Sequence, residues 1–321
     1  KSKSDTCFVA DDLHPQTRAV LKTRAEPLGL ELRIGDPEKD FVAEECFGLI
    51  LQYPNTYGEV KDRRALVEKA HAGKALVTVA SDLLALALLT PPGEWGADVV
   101  VGSAQRFGVP LGYGGPHAGF MAIREAFKRS LPGRIVGVSV DSHGKHGYRL
   151  ALQTREQHIR REKAMSNICT AQVLLAVMSG FYAVWHGPDG IRRIAQRVNR
   201  LTNILAAGLT KLGHAPEHEA YFDTLVVPCD AEKVMQRAVE AGISLRPIDA
   251  KRVGISLDET STREIVETLF EVFAGKQDHG LTAGGLDREA GNSIPNAVKR
   301  QSTYLVHPVF NSYRSETEML R

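Results

Sequence analysis

The run Ser103-Ala104-Gln105-Arg106-Phe107-Gly108-Val109-Pro110-Leu111-Gly112-Tyr113-Gly114-Gly115-Pro116-His117 holds the residue types best suited to cradling another molecule. Glycines without Cβ let backbone approach a ligand or a partner closely, and successive N–H groups can face an anion. The alternative is a tight turn packed in an interface. The spacing is not G-x-G-x-x-G and the run does not open a helix, which argues against a dinucleotide fold. A second candidate is Arg149 to Lys163, dense in Arg, Gln, Glu and His and continued by Ser166 to Gln172. Such a run suits either a fixed hydrogen-bonded network or a solvated charged face. Asp82, just after an apolar run, fits an N-cap. Cys169 reads as a small buried hydrophobe rather than a nucleophile. His143 and His146 lie in a glycine-rich turn and should face water; no metal-binding spacing occurs.

These residues must be carried by alternating elements. Thr6 to Ala10, Phe47 to Gln52, Ala75 to Ala80 and Ala97 to Val101 are apolar strand candidates. Helical spacing falls between them at His14 to Arg24 after the Pro15 start signal, at Asp62 to Ala72, and from Asp82 onward. Strand and helix alternating at this interval predict a parallel α/β sheet, with Gly119 to Arg124 returning antiparallel. Two long helical patterns follow, Ala171 to Val184 and Gly190 to Leu212, broken at His186-Gly187-Pro188-Asp189-Gly190. Thr224 to Pro228, a helix over Ala231 to Ala241, Ile243 to Arg246, Arg252 to Leu257 and a helix over Ser261 to Ala274 predict a small α+β domain. Ser261 with Glu264 forms a capping-box pattern. The Gly-rich and polar segment 276–302 reads as a linker.

The 321 residues suffice for one large domain and a smaller one. With 43% hydrophobic and 24% charged residues and a net charge of +2, the chain favours neither nucleic acid nor a membrane surface. Cys7, Cys46, Cys169 and Cys229 are scattered and read as reduced thiols. No run has membrane-spanning length. The non-Met start at Lys1 and the end at Ser315 to Arg321, which reads as a helix cut off, suggest a fragment.

The Gln105 to His117 run resembles the strand-and-loop segment of the glycine cleavage system P-protein, the pyridoxal-phosphate (PLP) glycine decarboxylase. Aligning Phe107, Pro110 and Gly112 to Pro116 on that pattern puts Gln105 where the catalytic half of the family carries its Schiff-base lysine. Arg149 to Lys163 with Ser166 to Gln172, and the turn Pro91-Pro92-Gly93-Glu94-Trp95-Gly96, resemble the family too. Leu305 to Arg321 resembles the opening of the catalytic half.

The resemblance implies an aspartate aminotransferase-like, fold-type I PLP-transferase fold. Residues 1–186 would be part of the large domain of the non-catalytic half. Residues 187–275 would be the interdomain helix and small domain, 276–302 the linker, and 303–321 the start of the catalytic half. It further implies decarboxylation of glycine on PLP and passage of the aminomethyl group to the lipoyl group of H-protein. A glutamine amide forms no Schiff base, so no catalytic residue is assigned here and no covalent PLP is expected on this chain. Gly112, Gly114, Gly115 and His117 would approach the cofactor from across an interface. Arg155, His158 and Arg160 would line the active-site margin. Asp82 stands where the family fold puts the partner of the pyridinium nitrogen, with the cap reading preferred; His307 fits either a functional role or a helix-entry bond. The expected partners are the catalytic half and lipoylated H-protein, in a dimeric parent without nucleic acid, membrane or metal. The compartment would be bacterial cytoplasm, or mitochondrial matrix in a eukaryote. The competing readings are a stand-alone scaffold or regulatory pseudoenzyme, and an independent PLP enzyme using Lys74 or Lys163.

Overall fold

The computed structural model describes residues 4–131, 135–151, 161–163 and 172–321. Its larger sheet has six strands: β1 (Thr6–Ala10), β2 (Glu31–Gly35), β3 (Gly48–Tyr53), β4 (Leu76–Ser81), β5 (Val99–Ser103) and β6 (Gly119–Ile123), in the order β2-β1-β3-β4-β5-β6. The first five run parallel, with Cys7 beside Gly48 and Val79 beside Val100, and β6 returns antiparallel with Phe120 opposite Gly102. Every residue of β1 is buried, as expected of a central parallel strand covered on both faces. Helix α1 (Pro15–Ala25) starts with proline in its first turn, where a missing N–H costs nothing. Helix α2 (Arg64–Ala72) buries Leu66, Val67 and Ala70. Two expectations fail here. The helix after Asp82 is only a 3₁₀ turn, Ala85–Ala87, because Leu84, Ala85, Ala87 and Leu89 are all drawn into the core before Pro91 ends the segment. Strand β2, absent from the sequence reading, is a partly exposed edge strand.

A two-stranded ribbon, β7 (Ile135–Val140) and β8 (His146–Ala151), follows. Helix α3 (Val173–Lys211) is continuous by hydrogen bonding but kinked at Gly187, whose φ of 59° and ψ of −176° are non-helical, next to Pro188. Beyond it, β9 (Thr224–Pro228), β10 (Arg246–Asp249) and β11 (Arg252–Ser256) form an antiparallel sheet in the order β10-β11-β9. It is joined by α4 (Ala231–Glu240) and α5 (Arg263–Ala274). The strand expected from Ile243 starts at Arg246. The cap of α5 is Thr262, whose hydroxyl accepts from Ile265 N, not Ser261, which is held instead by the Asp258 carboxylate.

Segment 276–302 is packed along the body. Ala283, Leu286, Ile294 and Val298 are buried, and Thr90 N donates to Val298 O at 2.7 Å. Arginines clip it down: Arg64 to Ala297 O at 2.6 Å, Arg200 to Asp287 and to Ala290 O, each at 2.7 Å, and Arg300 back to Leu86 O at 2.7 Å.

Candidate functional site

The parallel strands deliver their C-terminal ends to one rim, where open α/β sheets place their ligand crevices. His14 follows β1, Asn55 and Thr56 follow β3, Asp82 follows β4, and Gln105 and Arg106 follow β5. A cleft of about 760 Å³ opens there, lined by His14, Ser103, Gln105 and His117 from the large domain and by Arg246 from β10 of the small one. Arg246 Nη1 donates to Thr56 O and to Thr56 Oγ1, both at 2.9 Å. Thr56 Oγ1 in turn lies 3.0 Å from His14 Nδ1. Beneath this layer Asp12 is buried and accepts from Arg63 Nη2 at 3.0 Å and Asn55 Nδ2 at 3.1 Å. Burial pushes the Asp12 carboxyl above its usual range, with Arg63 and Asn55 opposing. Burial also holds His14 below the usual imidazole value, helped by the adjacent Arg246 charge and opposed by Asp82.

Behind Gln105, Arg106 ties the two domains. Its Nη1 reaches Asp82 Oδ2 at 2.8 Å and Asp223 Oδ2 at 2.6 Å, with Glu259 at 3.9 Å. Burial would lower the guanidinium, but Asp82 and Asp223 together hold it above its ordinary value. Asp223 is pushed upward by burial against the pull of Arg106. Among the described residues, Gln105 Nε2 and Arg106 Nε and Nη2 are buried with no hydrogen-bond partner.

Gln105 and His117 thus share the cleft. Gly112, Gly114 and Gly115 do not line it: they form the loop beside it, all at positive φ (54°, 101° and 139°). That loop pushes out Leu111, 75% exposed, and the fully exposed Tyr113, itself at φ 54°. A tyrosine in that region is uncommon, and the sequence reading passed over it in favour of its glycine neighbours. Arg155, His158, Arg160 and Cys169 lie outside the described residues. The helix cap expected of Asp82 does not form: its Oδ1 accepts from Leu84 N at 2.7 Å, closing a turn, while the 3₁₀ turn Ala85–Ala87 has Leu84 at its N-cap without a side-chain bond. His307 Nδ1 accepts from Val309 N at 3.2 Å at the entry of a short helix, Val309–Ser312. His143 and His146 are exposed on the ribbon. Lys74 precedes β4, at the opposite rim from the cleft, and Lys163 sits in the turn Arg161–Lys163. Among the described residues no cluster of three metal-ligating side chains forms, and no helix is long and apolar enough to cross a membrane.

The cleft does not fit covalently held PLP. No lysine lines it, and the aspartate at the end of β4 is already committed to Leu84 N and Arg106.

This architecture is shared with fold-type I PLP enzymes. A C-DES mutant with glycine covalently linked to its PLP cofactor superposes with a TM-score of 0.59 at 16% identity, over 85% of this chain and 75% of that one. At that identity the likeness concerns the fold alone. The particular family is set by closer matches. The family model described as glycine cleavage system P-protein matches residues 1–273, and the chain belongs to that family. A glycine dehydrogenase (decarboxylating) from Stenotrophomonas maltophilia is 57% identical over 322 residues, covering 100% of this chain and 33% of the relative. The crystal structure of glycine decarboxylase (P-protein) of the glycine cleavage system, in inhibitor-bound form, gives a TM-score of 0.79 at 34% identity. That match covers 85% of this chain and 66% of that one. The chain therefore spans about a third of the length of the curated relatives it matches.

Proposed function

We propose that this chain is the non-catalytic, supporting part of a glycine decarboxylase. The parent would decarboxylate glycine on PLP held by its catalytic half and pass the aminomethyl group to the lipoyl arm of H-protein. PLP supplies the electron sink when bound; on this chain Gln105 stands in the lysine position and supplies no nucleophile. Segment 303–321 would open the catalytic half, held at its start by the arginine clips on 276–302. The parent would work as a dimer.

The observation that carries this reading is a half-exposed apolar stripe on α3, whose middle residues Val177 and Phe181 border a groove shared with Val309, Phe310, Tyr313 and Met319. Val173, Val177, Phe181 and Trp185, four residues apart, are 58, 45, 50 and 43% exposed. Residues four apart share one slanting helix face, and an apolar face this long on a soluble protein marks a buried contact in the assembly. The face of the ribbon bearing Val136, Val138, Val140 and Tyr148 is exposed as well, and two strands alone are marginal without cover. The catalytic half is the occupant that the length of the relatives supports. Size-exclusion chromatography of this chain mixed with a separately produced catalytic half tests it. A co-eluting 1:1 complex is expected; independent elution at micromolar concentrations would refute it.

A further inference from the structure

We propose a small-molecule site away from the sheet rim: the cleft between α3, the turn at Ala87 and Leu88, and segment 276–302 binds a phosphomonoester dianion. Three observations carry this.

First, the cleft is cationic. Its volume is about 330 Å³, and Arg192, Arg200, Lys299 and Arg300 line it with no Asp or Glu among the described lining residues. Arg200 is neutralised by Asp287 at 2.7 Å. Arg192 has only Asp189 at 3.8 Å, a carboxylate that is 84% exposed. Lys299 and Arg300 form no ion pair among the described residues. Burial holds the Arg300 guanidinium below its ordinary value; Glu94 and Tyr304 oppose this, and the neighbouring Arg192 charge adds to it. Like charges gathered in a partly desolvated cleft repel one another, and an anion between them removes that cost.

Second, the cations are held in place before any ligand arrives. Arg192 and Arg300 both pack on the Tyr304 ring, 5.6 and 4.5 Å from its centroid, and Tyr304 Oη donates to Pro188 O at 2.8 Å. Arg300 donates from Nε to Ser302 O at 3.0 Å, from Nη1 to Leu86 O at 2.7 Å and from Nη2 to Thr303 O at 3.3 Å. Each terminal nitrogen keeps a second hydrogen to give. On the other wall Arg192, Gln196, Asn199 and Asn203 recur at helical spacing on one face of α3.

Third, two buried amides line the cleft. Asn199 and Asn203 are each 6% exposed. Asn199 Nδ2 donates to Phe222 O at 2.7 Å and to Ser293 Oγ at 3.0 Å, and Asn199 Oδ1 accepts from Asn203 Nδ2 at 3.2 Å. The second hydrogen of Asn203 Nδ2 has no acceptor among the described residues.

Lys299, Arg300 and the loosely paired Arg192 carry more positive charge than one carboxylate balances. They reach in from a helix on one side and a loop on the other, which suits the non-coplanar oxygens of a phosphate better than a planar carboxylate. Ala87, Leu88 and Ile294 give the carbon body of an ester an apolar wall, and no described aromatic ring lines the cleft to stack a base. The site lies beyond the Gly187 kink from the apolar stripe of α3, so it is separate from the assembly face.

The test is calorimetric titration of the complete chain with inorganic phosphate and with glycerol 2-phosphate at constant ionic strength, with sodium acetate as the monoanion contrast. We expect saturable 1:1 binding of both phosphates, with Kd on the order of millimolar or tighter, and weaker acetate binding. Arg192→Gln and Lys299→Gln should each weaken phosphate about 5-fold or more, and the double variant about 30-fold. Arg193→Gln removes an exposed charge outside the lining and should change affinity by less than about 2-fold. Circular dichroism and the thermal midpoint confirm that each variant is folded. Unchanged affinity in the folded double variant overturns the proposal, as does no saturation by inorganic phosphate up to about 0.1 M. A loss in Arg193→Gln equal to that in Arg192→Gln also overturns it, because general charge attraction then explains the binding. Acetate binding as tight as phosphate overturns the dianion assignment, and phosphate binding without glycerol 2-phosphate binding overturns the ester. Because the titration uses neither PLP nor the catalytic half, its failure leaves the supporting-half reading standing, and the converse holds.

Discussion

Arg106, the residue after Gln105, donates through Nη1 to Asp223 at 2.6 Å, joining the rim of the large sheet to the residue that precedes β9 of the small domain. Asp223 is 7% exposed, so this charge is desolvated and depends on its partner. Replacing one member of such a pair strands the other: Arg106→Gln is expected to cost about 3 kcal/mol or more in urea unfolding. Adding Asp223→Asn should recover part of that loss, because the stranded charge is then gone. Strictly additive losses in the double mutant would show that the two residues are not coupled.

A second contact pins the same domains. Gly58 sits at φ 85°, and a Cβ there would overlap the Thr224 carbonyl of β9. Gly58→Ala combines left-handed strain with a backbone clash that no rotamer change relieves. We expect a loss of more than about 2 kcal/mol. A thermal midpoint within a degree or two of wild type would mean that the domains are free to separate there.

The pH dependence has a defined sign. His14 titrates below its ordinary value of 6.5 in the folded chain, chiefly through burial and then through Arg246. Below that pH the unfolded chain binds the proton more readily, so His14 contributes a loss of stability as pH falls through and beneath 6.5. His186, lowered by burial and Arg314, acts in the same direction, while Asp12 and Asp223, raised by burial, act in the opposite one. The comparison is therefore between wild type and His14→Gln, from pH 7.5 to 5.5 in urea. The variant should lose less stability on acidification, and an identical slope would remove His14 from the list of contributors.

Much of the architecture was legible from apolar runs and their spacing: β1, β3, β4, β9 and both small-domain helices lie within a residue or two of their expected places. The sequence signal failed where long-range contacts decide. Thr262 rather than Ser261 caps α5 because Asp258 captures Ser261 first. Strand β2 carries Glu31 and Arg33 and is an edge strand, so it lacks the apolar signal of its neighbours. Segment 276–302 reads as a linker by composition, yet arginines distant in sequence hold it down. For the site, the place of Asp82 after a strand was readable, but its carboxylate bonds Leu84 N and Arg106 instead of capping a helix. The bond from Arg106 to Asp223, across 117 positions, left no local trace. Arg246 was equally hidden, since its partner Thr56 lies 190 residues upstream.

The apolar stripe on α3 gives an assembly prediction. Phe181→Asn should leave the fold of the isolated chain intact, since Phe181 is half exposed, while weakening association with the catalytic half by about 30-fold, the scale of a buried aromatic anchor. The double variant Phe181→Asn with Trp185→Ser should weaken it further. Unchanged affinity would place the contact elsewhere.

The most direct measurement is a PLP absorbance titration of the chain alone, then with the separately produced catalytic half and glycine, followed by borohydride reduction and peptide mapping. The supporting-half reading predicts no reducible PLP–lysine bond on this chain under any condition. It also predicts glycine-dependent CO₂ exchange by the mixture well above that of the catalytic half alone. A pyridoxyl-lysine recovered from this chain, or full exchange activity in the catalytic half without it, would contradict that reading.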